Sequence, residues 1–298
     1  MEAYRKRHAE RTTTRLPDGA FMLVVDESVL RQENEAAPFI SQILVPVEFS
    51  RRSAAAARFA VELAHRFHSK VTLLHVEKPV ENDAFWTAEV THWAKDQMSE
   101  FLPDSAADPA LRRIVQVQVD IAGEILRRAT ETRADLIVMP THAYGPIRRI
   151  LLGSASARIL QEAPCPVWTT AQVAPTLPAQ WLEPKRILCA VDAGPDGAVV
   201  LSWASSLASH LNAKLCVVWS QRDATQTREN IQRLQKAYRI RAEAVVEPEN
   251  VPDALRRTTA RMRADLLVVS RKFCKPATAT GLDLPEVVRK ARCPVVCM

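Results

Sequence analysis

A glycine and a serine stand where a helix begins after a buried strand, a pattern that can bind an anion. The strand is the apolar run 136–139, and Gly153 and Ser154 open the next helical stretch. Backbone N–H groups in the first turn of a helix lack partners within the helix, and the helix dipole favours negative charge there. Arg148 and Arg149, in the loop between, could neutralise a phosphate. The spacing predicts an anion site at this helix start.

Acidic residues and histidines occupy the other positions where chemistry is plausible. Glu48 follows the first regular strand, and Asp192 takes the same place in the second half of the chain. At the mouth of an open α/β sheet, an acidic side chain can accept a hydrogen bond from a ligand. It can instead support the start of the next helix, although Ser50 can cap that helix without it. Both roles stay open. His75 and His142 lie near this mouth without a Ser–His–acid order or a nucleophile elbow, which favours a structural role.

These residues depend on apolar strands that alternate with amphipathic helices. Helical spacing predicts a helix over 51–67, and the alternation of strands and helices predicts a parallel sheet covered on both faces. The predicted elements of the first half are strands at 41–47, 70–76, 114–119 and 136–139, with helices at 51–67, near 85–98 and at 123–133. The last helix of this half begins at 153, and a strand follows Pro166.

The second half of the chain repeats the first. Residues 134–136 (ADL) return at 264–266, and residues 165–167 (CPV) return at 293–295. An internal duplication of this kind indicates two like domains. The predicted organisation is a partly disordered N-terminal extension, a first domain, a Pro-rich linker and a shorter, degenerate second domain, at 1–38, 39–171, 172–184 and 185–298.

The totals exclude several classes of protein. A hydrophobic content of 47% and a charged content of 25% in 298 residues are typical of a globular protein. The net charge of +6 is not accompanied by a nucleic-acid-binding motif, and no apolar run reaches membrane-spanning length, so neither nucleic acid nor membrane is expected. No secretory signal pattern begins the chain, which predicts a cytoplasmic location. The scattered cysteines, with Trp86, Trp93, Trp203 and Trp219, are expected in the core.

Several segments resemble the universal stress protein family of the UspA type: ILVPVEFSRRS, LIVMPTH, LLGSASARIL and APCPV. The resemblance covers 40–170 well and 185–298 more weakly. It implies two tandem Rossmann-like domains of the adenine nucleotide alpha hydrolase-like kind, each a mainly parallel five-stranded sheet with helices on both faces. Dimers of the family pair their last strands, so the two halves of this chain are expected to pair intramolecularly, and a homodimer stays open.

In the ATP-binding branch of that family, a loop of the pattern Gly-x2-Gly-x9-Gly-Ser/Thr wraps the ribose and phosphates. Here Pro140 and Ala143 replace the first two glycines, while Gly153 and Ser154 match the end of the pattern. Proline donates no N–H and alanine adds a Cβ, so half of the loop is altered. The residues that would contact a nucleotide are Val47, Glu48, Val76, Thr141, Gly153, Ser154 and Ser156.

The expected function is that of a non-enzymatic stress-response protein that acts by conformation or partner binding and has a degenerate nucleotide site. Such a protein requires no cofactor and no metal. The alternative is an ATP- or AMP-binding protein that uses the first domain only, with slow ATPase activity as a further step. The sequence offers no metal-binding or water-positioning group for that step. The loop of the second domain, 270–288, has no glycine pattern and is expected to bind no nucleotide.

Overall fold

The computed structural model of the chain describes fourteen segments. They are residues 13–15, 21–23, 39–81, 83–102, 104, 108, 110–140, 153–170, 183–191, 195–219, 242–246, 251–271, 284–291 and 293–298. The strands are β1 Thr13–Arg15, β2 Phe21–Leu23, β3 Gln42–Pro46, β4 Lys70–Glu77, β5 Leu111–Val117, β6 Leu136–Pro140, β7 Val167–Thr170, β8 Arg186–Val191, β9 Lys214–Trp219, β10 Ala242–Val246, β11 Leu266–Val269 and β12 Val295–Cys297. The helices are α1 Arg51–Phe67, α2 Ala84–Glu100, α3 Ile121–Glu131, α4 Ser154–Glu162, α5 Pro195–Leu211, α6 Val251–Met262 and α7 Leu284–Lys290.

The chain divides into two compact units, which we call the first unit (40–178) and the second unit (1–39 with 179–298). In the first unit β3 lies between β6 and β4, β7 pairs with β6, and β5 pairs with β4, all parallel. In the second unit β8 lies between β11 and β9, with β12 and β10 outside them, again all parallel. The two units therefore have the same order of five parallel strands. The predicted α/β fold with mainly parallel sheets is confirmed.

Helix α1 shows how the sequence sets the boundaries of an element. Its first turn is capped by Ser50, whose Oγ accepts a hydrogen bond from the N–H of Ser53 at 3.1 Å. It ends at His68, which adopts a left-handed conformation (φ 54°), and the N–H of Ser69 donates to the carbonyl of Ala64. The buried face includes Phe59, whose ring lies 5.2 Å from that of the fully buried Trp168. The predicted bounds 51–67 are those observed.

The repeated ADL segment has a structural role in both units. Asp135 accepts hydrogen bonds from the backbone N–H groups of Ser41 (2.9 Å) and Gln42 (3.1 Å), at the start of β3. Asp265 does the same for Lys185 and Arg186, at 3.0 Å each, at the start of β8. Each aspartate ties the central strand of its unit to the neighbouring strand that begins one residue later.

The backbone conformation at helix ends also repeats between the two units. His68 and Asn212 follow α1 and α5 with φ of 54° and 50°, and Arg133 and Arg263 follow α3 and α6 with φ of 51° and 48°. In all four places the backbone N–H of the next residue donates a hydrogen bond to a carbonyl near the end of the helix. A left-handed residue satisfies the last carbonyls of a helix, and here the conformation is adopted without glycine.

Part of the N-terminal extension forms an antiparallel ladder. β1 pairs with β2, Thr13 opposite Leu23 and Arg15 opposite Phe21. Phe39 stacks on His210 (ring centroids 4.9 Å apart) and lies 5.6 Å from Trp203. The other residues of the predicted extension, and most of the predicted linker, lie outside the described residues.

The tryptophans divide into buried and exposed, which corrects the expectation that they pack in the core. Trp203 is buried, but Trp86 is 56% exposed and Trp93 is 52% exposed. Both exposed side chains lie on α2, of which only Ala94 and Met98 are buried. Helical spacing predicted the helix correctly, but these two tryptophans lie on its exposed face and not in the core. In the part of the chain that the structure describes, no helix is long and apolar enough to span a membrane.

Candidate functional site

The predicted site residues lie at the carboxyl ends of neighbouring strands and at the start of α4. Val47 and Glu48 follow β3, and Val76 is the next-to-last residue of β4, so these three come together at one end of the β3–β4 pair. Gly153, Ser154 and Ser156 lie at the start of α4, which follows β6 on the other side of β3. Thr141 lies outside the described residues, as do Asp192, His142, Ala143, Arg148 and Arg149.

Glu48 is held by the cap of α1. Its Oε1 accepts a hydrogen bond from Ser50 Oγ at 3.1 Å, and the Ser50 Oγ in turn receives the N–H of Ser53. The network shows the helix-supporting role that the sequence left open for this acid, and its ligand-binding role stays a prediction. The residue is exposed, yet the protein around its carboxyl raises the pKa of Glu48, against the lowering effects of the Ser50 hydrogen bond and of Arg52 and His75.

His75 connects the two strands at this end of the sheet. Its Nδ1 lies 2.9 Å from the carbonyl oxygen of Val47, and its Nε2 lies 3.1 Å from Oε2 of Glu77. The ring thus bridges the backbone after β3 and the last residue of β4. The side chain is buried, which agrees with the structural role that the sequence favoured.

Phe49 packs on His75 at this end of the sheet, and sequence reasoning missed it. Its backbone is left-handed (φ 56°), and its ring lies 4.3 Å from the His75 ring at an interplanar angle of 30°. Trp93 and Phe101 contact the same ring edge-on, with centroids 5.8 Å away. A left-handed non-glycine residue costs about 1–2 kcal/mol, which this aromatic packing offsets. The available signal was a large aromatic residue in a loop, between an acid and a helix cap.

Pro140 remains a strand residue. It is the last residue of β6 and lies opposite Thr170 in the parallel ladder with β7. A proline at a strand end removes one backbone donor from the position where the family pattern has its first glycine. The pairing with β7 and the pyrrolidine ring of Pro140 together fix the direction in which the chain leaves β6.

The start of α4 keeps the features of an anion-binding helix terminus. Gly153 is the N-cap residue, with φ −57° and ψ 147°, and it makes no side-chain cap. Its carbonyl accepts from the N–H of Ala157 at 2.9 Å, Ser154 is exposed and Ser156 is half-buried. The N–H groups of the first turn have no partner within the helix, and Gly153 offers no side chain to cap them.

The described residues offer no group of three His, Cys, Asp or Glu side chains that could hold a metal ion. The cysteines described are buried thiols, and burial raises the pKa of Cys293 and of Cys297 to about 12. A thiol with so high a pKa is a poor nucleophile at neutral pH. The arrangement at the sheet end can bind an anion at α4, and the groups around Phe49 pack against one another.

The fold defines an α/β protein of the Rossmann-like type. A solved universal stress protein from Archaeoglobus fulgidus DSM 4304 has the same fold, with a TM-score of 0.69 over 87% of this chain and 97% of that chain. The two sequences are 15% identical, so this likeness concerns the fold alone.

Sequence comparisons give the family. The family described as the universal stress protein family matches residues 40–170. A universal stress protein of Methanocaldococcus jannaschii is 30% identical over 139 residues, which are 42% of this chain and 79% of the relative. One of Bacillus subtilis is 27% identical over 143 residues, 43% of this chain and 96% of that protein. The chain belongs to the universal stress protein family, as the resemblance in its motifs predicted.

Proposed function

We propose that this universal stress protein acts without catalysis, by conformation or by binding a partner, and that the nucleotide site of its first unit is degenerate. The observation that carries the proposal is the position of Phe49. Its ring packs on His75 at the end of β4, the strand that also carries Val76, where the family resemblance puts a contact to a nucleotide. An aromatic side chain packed against three other rings is costly to displace, because a ligand would have to replace those contacts.

Two further observations support the same proposal. Pro140 extends β6 in place of the flexible glycine of the family loop, so the chain enters the loop with a fixed φ and without a donor. The Glu48 carboxylate already accepts a hydrogen bond from Ser50, which takes up one of its acceptor positions. Both features weaken nucleotide binding in the first unit.

The test is direct. The chain is purified, denatured, and the released small molecules are analysed for adenine nucleotides by mass spectrometry. The proposal expects substoichiometric or undetectable nucleotide. ATP or AMP at about one per chain would refute it.

A second experiment tests the role of Phe49 itself. Phe49→Gly suits the left-handed backbone and opens the end of β4, so we expect this variant to bind ATP more tightly than the wild type does. His68→Gly is the matched control, because it changes a left-handed residue of the same unit at the far end of α1. Equal, undetectable ATP binding by both variants would mean that Phe49 is not what excludes the nucleotide.

The alternative function is ATP or AMP binding by the first unit, with slow ATPase activity as an extension of it. One observation favours it: the start of α4 retains Gly153 without a side-chain cap and serines in its first turn. Such a terminus favours an anion by charge and by unpaired donors. The nucleotide-release experiment separates the two functions.

Location and assembly belong to the same proposal. A cytoplasmic location is supported by buried cysteine thiols such as Cys189, which suit a reducing compartment. Pairing of the last strands of the two halves stays a prediction, and so does the choice between monomer and homodimer. Sedimentation analysis of the full chain decides the second question.

A further inference from the structure

Three large aromatic side chains of α2 are turned to solvent, which is unusual for one helix. Phe85 is 66% exposed, Trp86 56% and Trp93 52%, and we call these three residues the α2 aromatic face. Their positions, i, i+1 and i+8, fall within about a third of a helical turn of one another, so they share one side of α2. Contiguous exposed aromatics on a folded protein mark an interaction surface more often than chance exposure.

The side chains of this face are held in place. The Phe85 and Trp86 rings contact each other edge-on, with centroids 5.6 Å apart. Trp93 is fixed by Phe49, which packs on the buried His75. A rigid aromatic loses little entropy on binding, which is why tryptophan dominates interface energetics.

The α2 aromatic face extends over about two helical turns, from Phe85 to Trp93. This is the length that a helical partner needs for anchors at i, i+3 or i+4, and i+7.

The negative charge of the segment around α2 indicates a basic partner. Residues 77–100 carry six acidic and two basic side chains, a formal net charge of −4, whereas the whole chain is +6. Glu89 is exposed and lies between the aromatics, three residues after Trp86 and four before Trp93. Acidic groups interspersed with indole faces attract Lys and Arg side chains, by charge and by cation–π contact.

The same charge argues against the other occupants. Two copies meeting through this face would bring like charges together, and both nucleic acid and an anionic membrane would be repelled. We propose that the α2 aromatic face binds a basic amphipathic helix of another protein. This inference rests on the proposed partner-binding function and names the chemistry of the partner.

The experiment uses the full chain and a labelled synthetic helix of about fourteen residues, with leucines on one face and lysines on the other. Fluorescence anisotropy measures its affinity. We expect saturable binding that is weakened by salt, and at least about tenfold weaker binding of the same peptide with glutamate in place of lysine. We expect Trp86→Ser and Glu89→Lys each to weaken binding of the lysine peptide at least about tenfold.

Val119→Ser is the matched control, because Val119 is 75% exposed, apolar, and outside the α2 surface. Circular dichroism shows that each variant is folded. Equal affinities of Trp86→Ser and Val119→Ser would overturn the inference. So would equal affinity for the glutamate peptide, a dimer in sedimentation that Trp86→Ser abolishes, or Trp86-dependent binding to anionic lipid vesicles.

Failure of this inference differs from failure of the proposed function. A nucleotide at one per chain would refute the function while leaving the peptide result unchanged. Loss of the Trp86 effect would refute the α2 partner site, whatever the nucleotide experiment gives.

Discussion

Single residues decide whether an anion can bind at α4, and Gly153 is the most informative of them. Its φ of −57° is accessible to every residue, so the glycine is not needed for the backbone conformation. A small N-cap residue leaves the first-turn N–H groups open to an anion. An aspartate in the same place would accept those hydrogen bonds itself and add a negative charge.

Gly153→Asp is therefore expected to leave the free energy of unfolding unchanged or to raise it by a few tenths of a kcal/mol, while abolishing phosphate or ATP binding. Titration calorimetry measures the binding, in the wild type or in Phe49→Gly if only that form binds. Gly153→Asn is the control, because it caps the helix without the charge and should retain more binding. Equal affinities of the Asp and Asn variants would show that the anion does not lie at α4.

Glu124 is a buried carboxylate of α3 whose charge is used structurally. Arg127 donates to its two oxygens at 2.6 and 2.7 Å, and Arg128 lies 3.5 Å away. The hydrogen bond from Arg127 is the main cause that holds the pKa of Glu124 below its ordinary value of 4.5, against the raising effect of burial.

Because the folded-state pKa is lowered, the stability that Glu124 contributes is complete above the ordinary value of 4.5 and is lost as the pH falls through the folded-state pKa. We expect Glu124→Gln to lower the free energy of unfolding by about 1–3 kcal/mol at neutral pH. The difference from the wild type should shrink at acid pH. Urea unfolding of both proteins across that range measures it, and a difference that is constant with pH would contradict the expectation.

At the scale of elements, α1 and α5 end on left-handed residues that are not glycine. His68 and Asn212 occupy equivalent places after α1 and α5. The strain at a left-handed histidine is greater than at asparagine, whose side chain tolerates this conformation. The duplicated helix end thus offers a comparison within one chain.

His68→Gly is expected to stabilise the protein by about 0.5–1 kcal/mol, since the strain removed exceeds the added entropy of the unfolded chain. Asn212→Gly should change the stability less. His68→Val should destabilise, because a β-branched residue suits this conformation worst. Chemical denaturation ranks the three variants, and a loss of stability in His68→Gly would argue against strain at this helix end.

At the scale of the whole molecule, the duplication gives each unit an aspartate that holds the start of its central strand, and we call these two aspartates the clamps. Asp135 and Asp265 each accept hydrogen bonds from two backbone N–H groups at the start of that strand. Asp135 is buried, and removing its carboxylate leaves those donors without an acceptor.

Asp135→Ala is expected to cost about 1–3 kcal/mol and to reduce hydrogen-exchange protection in residues 40–170. Asp265→Ala should reduce protection in residues 183–298. Exchange followed by mass spectrometry locates both effects. If either substitution loosened both halves equally, the two clamps would not act on separate cooperative regions.

The sequence by itself determined the alternation of strands and helices, the bounds of α1, its Ser50 cap and the helix start at Gly153. These features depend on neighbours within a turn or two, so local pattern and capping chemistry suffice. The family followed from motifs of the same local kind.

The tertiary structure alone decided that Phe49 covers His75 and that Trp86 and Trp93 are exposed. Hydrophobicity belongs to a residue, but its burial depends on which element faces it, and the outer side of α2 has no facing element among the described residues. The contact between Phe49 and His75 joins residues 26 positions apart, which only the pairing of β3 with β4 brings together. For that reason the packing of Phe49 on His75 was not foreseen.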